Sequence, residues 1–151
     1  MQASLTQQIV RTEELIAQLN DHSEFQLYEL ADACLAAQYV KALYLIRQAC
    51  NNKTAPTLVL WVLSQEIRQL LQLTHLIKQG FTFDKACKQL NIWTKRTKLY
   101  ESSLARLPIS QLFKLLQNSK MLDERIKTNK GYQLWQSFEK LVLLFCNNYK
   151  V

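Results

Sequence analysis

The sequence predicts an all-α protein, a helical bundle, and three observations carry that prediction. Only two Gly and two Pro occur in 151 residues, far fewer than the roughly 12% that these two types supply in an average protein. Apolar residues recur at helical spacing along most of the chain. Hydrophobic residues make up 48% of the total, which is enough for one core. Long helices joined by short connections are therefore expected.

The N-terminal third is predicted to form three helices. The first runs to about Asn20, and its apolar positions are Leu5, Ile9, Leu15, Ile16 and Leu19. A break at residues 20–22 precedes Ser23 and Gln26, whose S-x-x-Q spacing is typical of a capping box at the start of a second helix. The third helix follows closely and ends at residues 51–53.

A long central helix is predicted between Pro56 and Gly80, because proline suits the first turn of a helix and glycine follows helix ends. Its first half is apolar around the whole circumference, through Leu58, Val59, Leu60, Trp61, Val62 and Leu63. A helix that is apolar all round is buried. Trp61 is therefore expected in the core.

Four further elements are predicted in the C-terminal half. Thr82 begins a short helix, and a bend at residues 91–93 leaves Trp93 partly exposed before Thr94 caps the next helix. Pro108 ends that helix and Ser110 starts another. After a turn at residues 129–131, the last helix runs from Tyr132 to about Asn148, with Trp135 in the core.

Composition argues against several classes of protein. The four cysteines form no CxxC pair and only two histidines accompany them, so no metal site is expected and a reducing, cytoplasmic location is favoured. No uncharged stretch is long enough to span a bilayer. The sequence lacks a GxxxxGK[ST] phosphate loop. We expect no cofactor and no catalytic residue.

Positive charge is concentrated in one half of the chain. Residues 1–80 hold six Lys/Arg and seven Asp/Glu, whereas residues 81–151 hold thirteen and five, for a net charge of +7 overall. Such asymmetry is typical of a protein whose partner is a polyanion, although a solvated basic face explains it equally well.

Two clusters combine cations with aromatic residues. In the first, Trp93 is followed by Lys95, Arg96 and Lys98, and further on by Tyr100 and Arg106. Single-stranded nucleic acid needs cations for phosphates and a ring for a stacked base. The alternative is that Trp93 anchors the core below a solvated face.

The second cluster surrounds the last predicted turn, with Lys130 before Gly131 and Tyr132 after it. Arg125 and Lys127 precede it, and they contact either a ligand or the carboxylates of Asp123 and Glu124.

Four segments together resemble the delta subunit family of bacterial DNA polymerase III, from about Leu15 to Cys146. They are "LADACLAAQYVKALYLIRQ", "APTLVLWVLSQEIRQLLQL", "LNIWTKRTKLYESSLARLPISQL" and "GYQLWQSFEKLVLLFC". The resemblance implies that residues 1–21 end a second, lid-like domain and that residues 22–151 form the helical collar domain. It also implies a non-catalytic part of a nucleotidyltransferase holoenzyme, in which the clamp loader places the sliding clamp on primed DNA.

The resemblance further implies partners and contact residues. The collar would join delta-prime and the gamma/tau ATPase subunits, and the sliding clamp would be met only through a missing N-terminal domain. Trp93 matches a family tryptophan near the template strand. Where the family often has Tyr before the last glycine, this chain has Lys130, so either Lys130 or Tyr132 would make that contact. The expected DNA-binding residues are Trp93, Lys95, Arg96, Lys98, Lys130 and Tyr132.

Two rival functions come from other classes. A helix-turn-helix regulator would place residues 85–98 in a major groove, but apolar residues interrupt residues 94–107. A helical enzyme would use Glu66 or His75, which are more simply explained as a satisfied pair.

Overall fold

The structure, a computed structural model, describes residues 21–128 and 133–147. Of these residues 84% are helical and none lies in a strand, which confirms the all-α prediction. The elements are α1 (Asp21–Leu35), α2 (Tyr39–Asn51), α3 (Pro56–Lys78), α4 (Phe83–Gln89), a 3₁₀ turn (Thr94–Arg96), α5 (Thr97–Arg106), α6 (Ile109–Lys127) and α7 (Leu134–Cys146).

Local sequence signals account for several of the helix boundaries. Pro56 occupies the first turn of α3, and Gly80 follows its end with a φ of 106°, a conformation that glycine adopts without steric cost. The Thr82 hydroxyl accepts a hydrogen bond of 3.2 Å from the Lys85 backbone N–H and so caps α4. Pro108 separates α5 from α6.

Three predicted boundaries were wrong. Helix α1 already includes Asp21, so Ser23 lies inside a helix and is not its N-cap. Thr94 begins a 3₁₀ turn, and no side chain caps α5, which starts at Thr97. The start of α6 is Ile109, one residue before the predicted Ser110.

Two other predictions fall on residues that the structure does not describe. The helix expected before residue 21 lies outside the described residues, and so does the expected start of the last helix at Tyr132. The boundary between a lid-like domain and a collar domain near residue 21 therefore stays a prediction.

Helix α3 is the centre of the bundle, as predicted. It packs against α1, α4, α5 and α6, while α7 packs against α1, α2 and α6. The fully buried stripe of α3 follows helical spacing, with Val59, Leu63, Ile67, Leu70 and Leu73 inaccessible to solvent. Within the described ranges, no helix combines the length and the apolarity needed to cross a membrane.

The prediction that Trp61 is a core residue was wrong, because 42% of its surface is exposed. Successive helical residues are rotated by about 100°, so Trp61 faces away from Val59 and Leu63 on the buried stripe. Trp135 is partly buried and packs against the fully buried Phe138, with ring centroids 5.3 Å apart. Trp93 is 75% exposed, as its position at a bend predicted.

Candidate nucleic-acid interface

Trp93 lies on a short connection that the backbone holds in place. At the end of α4, the Ile92 N–H donates to the Cys87 carbonyl at 3.0 Å, and Asn91 adopts a left-handed φ of 56°. The Trp93 carbonyl then accepts a bond of 2.9 Å from the Arg96 N–H and so closes the 3₁₀ turn. The indole is thus exposed on an anchored segment.

Two lysines beside this tryptophan are available to an anion. Lys95 lies in the 3₁₀ turn and Lys98 in the first turn of α5, and both side chains are exposed. Neither forms an ion pair with any carboxylate in the described part of the chain. Their charges are free to meet phosphates near Trp93.

Arg96 is placed differently from its two lysine neighbours. Its Nη2 donates to Asp32 Oδ1 at 2.8 Å and to Glu66 Oε1 at 3.1 Å, and its Nη1 donates to the Tyr100 hydroxyl at 3.1 Å. The Tyr100 hydroxyl in turn donates a hydrogen bond to Glu66 Oε2. The guanidinium therefore joins α1, α3 and α5 through the side chains of this network.

The surroundings of Arg96 and Tyr100 keep both side chains protonated. Burial opposes the positive charge of Arg96, but Glu66, Tyr100 and Asp32 together hold its pKa above the ordinary value. Burial raises the pKa of Tyr100, and the Glu66 carboxylate adds to the shift. The charge of Arg96 is already balanced by two carboxylates, so the predicted phosphate contact competes with existing ion pairs.

Sequence reasoning missed the role of Glu66. The expected pairing of Glu66 with His75 was wrong, because His75 is exposed on α3 while Glu66 is buried beneath Arg96. No local spacing signals this contact, since Glu66 and Arg96 are 30 positions apart.

A groove of about 690 Å³ opens between Trp93 and this network. Its walls are largely apolar, and Asp32 and Arg96 of the network contribute polar groups to it. The lining includes Tyr28, Asp32, Gln69, Ile92, Trp93, Lys95, Arg96 and Leu99. An exposed ring, an apolar groove and two unpaired lysines form the combination that binds an unstacked base together with its phosphates.

Stability at alkaline pH tests the Tyr100 contact. The folded chain keeps the Tyr100 proton at pH values at which an unfolded tyrosine, with a pKa of about 10, loses it. The contribution of Tyr100 to the free energy of unfolding is therefore lost as pH rises above the unfolded pKa of about 10. We expect Tyr100→Phe to make the unfolding free energy fall less steeply than in the unmodified chain between about pH 10 and 11, as measured by urea denaturation.

Tyr44→Phe is the matched control for this experiment, because Tyr44 is 58% exposed on α2. This substitution should leave the pH slope as it is in the unmodified chain. Equal slopes for the two variants would contradict the network.

The second predicted cluster is only partly described. Arg125 donates to the Ser137 hydroxyl at 2.8 Å, which ties α6 to α7, and Lys127 pairs with Asp123 at 2.9 Å. Lys130 and Tyr132 lie outside the described residues. Arg125 and Lys127 thus both make contacts within the protein. The contact of Lys127 with Asp123 is the carboxylate pairing that was predicted as one alternative.

Arg106, the last cation of the first cluster, is buried. Its guanidinium donates to the backbone carbonyls of Cys34, Leu35, Phe145 and Asn147 at 2.7–3.2 Å. It therefore holds the C-terminal ends of α1 and α7 together. Arg106 is a structural residue of the core and not part of the surface around Trp93.

No group of three or more His, Cys, Asp or Glu side chains within residues 21–128 and 133–147 is arranged to hold a metal ion. The four cysteines are free thiols.

Comparisons with known proteins show which family this chain is similar to. The family model of the DNA polymerase III delta subunit, C-terminal domain, matches residues 24–144. DNA polymerase III subunit delta of Escherichia coli (strain K12) is 27% identical over 135 residues, which cover 85% of this chain and 37% of that protein. The chain thus spans little more than a third of the length of this relative.

These matches do not support the helix-turn-helix regulator. The family model covers residues 24–144, which are most of the sequence. The chain therefore belongs to the family formed by the C-terminal domain of the DNA polymerase III delta subunit.

Proposed function

We propose that this chain is the helical collar of a clamp-loader delta subunit, a non-catalytic part of the DNA polymerase III holoenzyme that helps to load the sliding clamp onto primed DNA. The match to the delta C-terminal family over residues 24–144 is the observation that carries this proposal. In this role the chain acts by binding alone. Its location is the cytoplasm, where replication takes place in bacteria.

The proposed protein partners are the delta-prime and gamma/tau subunits, which the collar joins. ATP hydrolysis belongs to gamma/tau, and the sliding clamp is contacted by another domain of delta. The relative from Escherichia coli supports the assignment of clamp contact to another domain, since only 37% of that protein is matched by this chain.

The proposed DNA contact is the exposed surface around Trp93. Trp93 stacks on an unpaired template base at the primer junction, while Lys95 and Lys98 neutralise neighbouring phosphates. Arg96 was predicted to contact a phosphate, but its ion pairs with Asp32 and Glu66 favour another role. We assign it the task of holding the 3₁₀ turn against α1 and α3.

Lys130 and Tyr132 complete the proposed contact set as alternatives. Their position in the sequence, beside Gly131 and just before α7, matches the place where the family often has a tyrosine. The Lys130→Ala and Tyr132→Ala variants would show which of the two acts on primed DNA.

The test is DNA binding by a loader reconstituted with the full-length delta subunit. Trp93→Ala should remove about 1 to 3 kcal/mol of the preference for primed over fully duplex DNA, because a stacked base is worth about that much. Lys95→Gln and Lys98→Gln should weaken binding to both DNAs alike and reduce the dependence of affinity on salt.

Tyr44→Ala removes another exposed aromatic ring, on α2, and serves as the control. It should leave the preference for primed DNA unchanged. An unaltered preference in Trp93→Ala would remove Trp93 from the DNA contact and leave only the scaffold role.

A further inference from the structure

A second exposed aromatic surface lies on another part of the bundle, at the cleft between α3 and α6. This α3/α6 cleft has a volume of about 240 Å³, and its lining includes Trp61 and Arg68 from α3 and Leu116, Lys120 and Asp123 from α6. Trp61 is the largest of these side chains. Its indole is part covered and part exposed, at 42%.

The charges at the rim of the α3/α6 cleft are unbalanced. Its carboxylate, Asp123, is already paired with Lys127 at 2.9 Å. Arg68 and Lys120 are exposed, and neither has an ion-pair partner among the residues that the structure describes. The cleft therefore presents two free cations beside a tryptophan.

This arrangement has the composition of a protein-binding surface. Tryptophan and arginine are among the residues most enriched where side chains dominate the energy of protein interfaces. Phe113, which is half exposed, lies two helical turns from Lys120 and thus on the same side of α6. Each of the two helices thus carries an exposed aromatic side chain on the side that bears a free cation.

We infer that the α3/α6 cleft is a docking surface for an acidic segment of a neighbouring subunit, which inserts an apolar side chain against Trp61 and places carboxylates by Arg68 and Lys120. The identity of the neighbour rests on the proposed function, in which this chain is one member of a multi-subunit loader. Charge complementarity sets the chemistry of the segment, because the two free cations select against a basic partner.

A protein segment suits the cleft better than a nucleic acid does. Most of the lining is apolar or neutral, so the cleft offers few groups that would bind a run of phosphates. Stacking of a base requires an open ring such as that of Trp93, whereas Trp61 is partly covered by its own helix bundle. The two tryptophans thus serve separate surfaces of the same domain.

The experiment measures assembly of the full-length delta subunit with purified delta-prime and gamma/tau from the same organism, by sedimentation velocity without DNA. Trp61→Ala and Arg68→Glu should each raise the dissociation constant at least about ten-fold, as expected for central interface residues. Lys120→Glu should have an effect in the same direction. The controls Lys41→Glu and Tyr44→Ala alter exposed side chains on α2 and should assemble normally.

The outcomes separate the two proposals. If the unmodified subunit forms no complex, both the proposed function and this inference fail. If it assembles, and Trp61→Ala, Arg68→Glu and Lys120→Glu assemble as tightly as the controls, this inference alone is overturned. If the three variants assemble normally but bind primed DNA more weakly, the inference is overturned in favour of a nucleic-acid site. The two charge reversals are at exposed positions, so the test stands even if Trp61→Ala fails to fold.

Discussion

Replacing Arg106 with alanine is expected to lower the free energy of unfolding by about 3 to 5 kcal/mol, because several buried carbonyls lose a charged donor and each such hydrogen bond is worth about 1.5 to 3 kcal/mol. Only 9% of Arg106 is exposed. Its Nη1 donates to the Phe145 carbonyl at 2.7 Å, and its Nη2 donates to the Cys34 carbonyl at 3.1 Å. Truncation removes this shared donor. The Cys34 carbonyl keeps a bond of 3.2 Å from the Ala37 N–H, but a buried carbonyl that loses a donor costs more than the hydrogen bond contributes on balance.

Urea denaturation at neutral pH measures this effect, with Arg47→Ala as the matched control. Arg47 pairs with Glu139 at 3.0 Å but its side chain is 64% exposed, and exposed ion pairs contribute about 0 to 1 kcal/mol. Arg106→Lys keeps the charge without the planar fork of donors, so it should recover only part of the loss. Similar losses in Arg106→Ala and Arg47→Ala would contradict the structural role of Arg106.

Replacing Glu66 with alanine is expected to cost about 2 to 4 kcal/mol of unfolding free energy, somewhat less than the loss of Arg106. Glu66 accepts hydrogen bonds from both Arg96 and Tyr100, and its side chain is 11% exposed. Without it, the Tyr100 hydroxyl is left buried beside a cation. Arg96 retains Asp32 as a partner, which limits the loss.

The matched control is Glu29→Ala, since Glu29 is exposed on α1. That substitution should change stability by less than about 0.5 kcal/mol. A double-mutant cycle of Glu66→Ala with Arg96→Ala should give a coupling energy of at least about 0.5 kcal/mol. Strictly additive losses would show that the two side chains do not act as one unit.

Boundaries that depend on local chemistry could be predicted from the sequence. Proline at the start of α3, glycine after its end and threonine at the cap of α4 each act within a few residues of their own position. The start of α1 was predicted wrongly because a capping-box spacing at Ser23 also fits the interior of a helix. The spacing alone does not distinguish an N-cap from an interior position, because that choice depends on tertiary packing.

Burial of individual side chains was harder to predict than the helices that carry them. Trp61 belongs to a run of apolar residues, and such a run does not show which side of the helix the bundle leaves uncovered. Trp93 was easier, because a bend between short helices is exposed in most arrangements of a bundle.

The candidate site was predicted only in part, for a similar reason. Lys95 and Lys98 lie in the sequence beside Trp93 and remain beside it in the fold. Arg96 belongs to the same run of charges, yet it turns inward to Asp32 and Glu66 on distant helices. Which cations of a basic segment stay free thus depends on long-range pairs.

The contacts of Arg106 have a consequence for the order in which this domain can fold. The Cys34 carbonyl lies 72 positions before Arg106 and the Phe145 carbonyl lies 39 positions after it, and both accept from this one guanidinium. Closing so long a loop costs conformational entropy, and the loop must close before the hydrogen bonds can stabilise the fold. On the ribosome, the contacts of Arg106 with the carbonyls of α1 therefore require only α5, whereas its contacts with the end of α7 form after α7 has emerged. The full set of Arg106 contacts thus forms only after the last described helix has been synthesised.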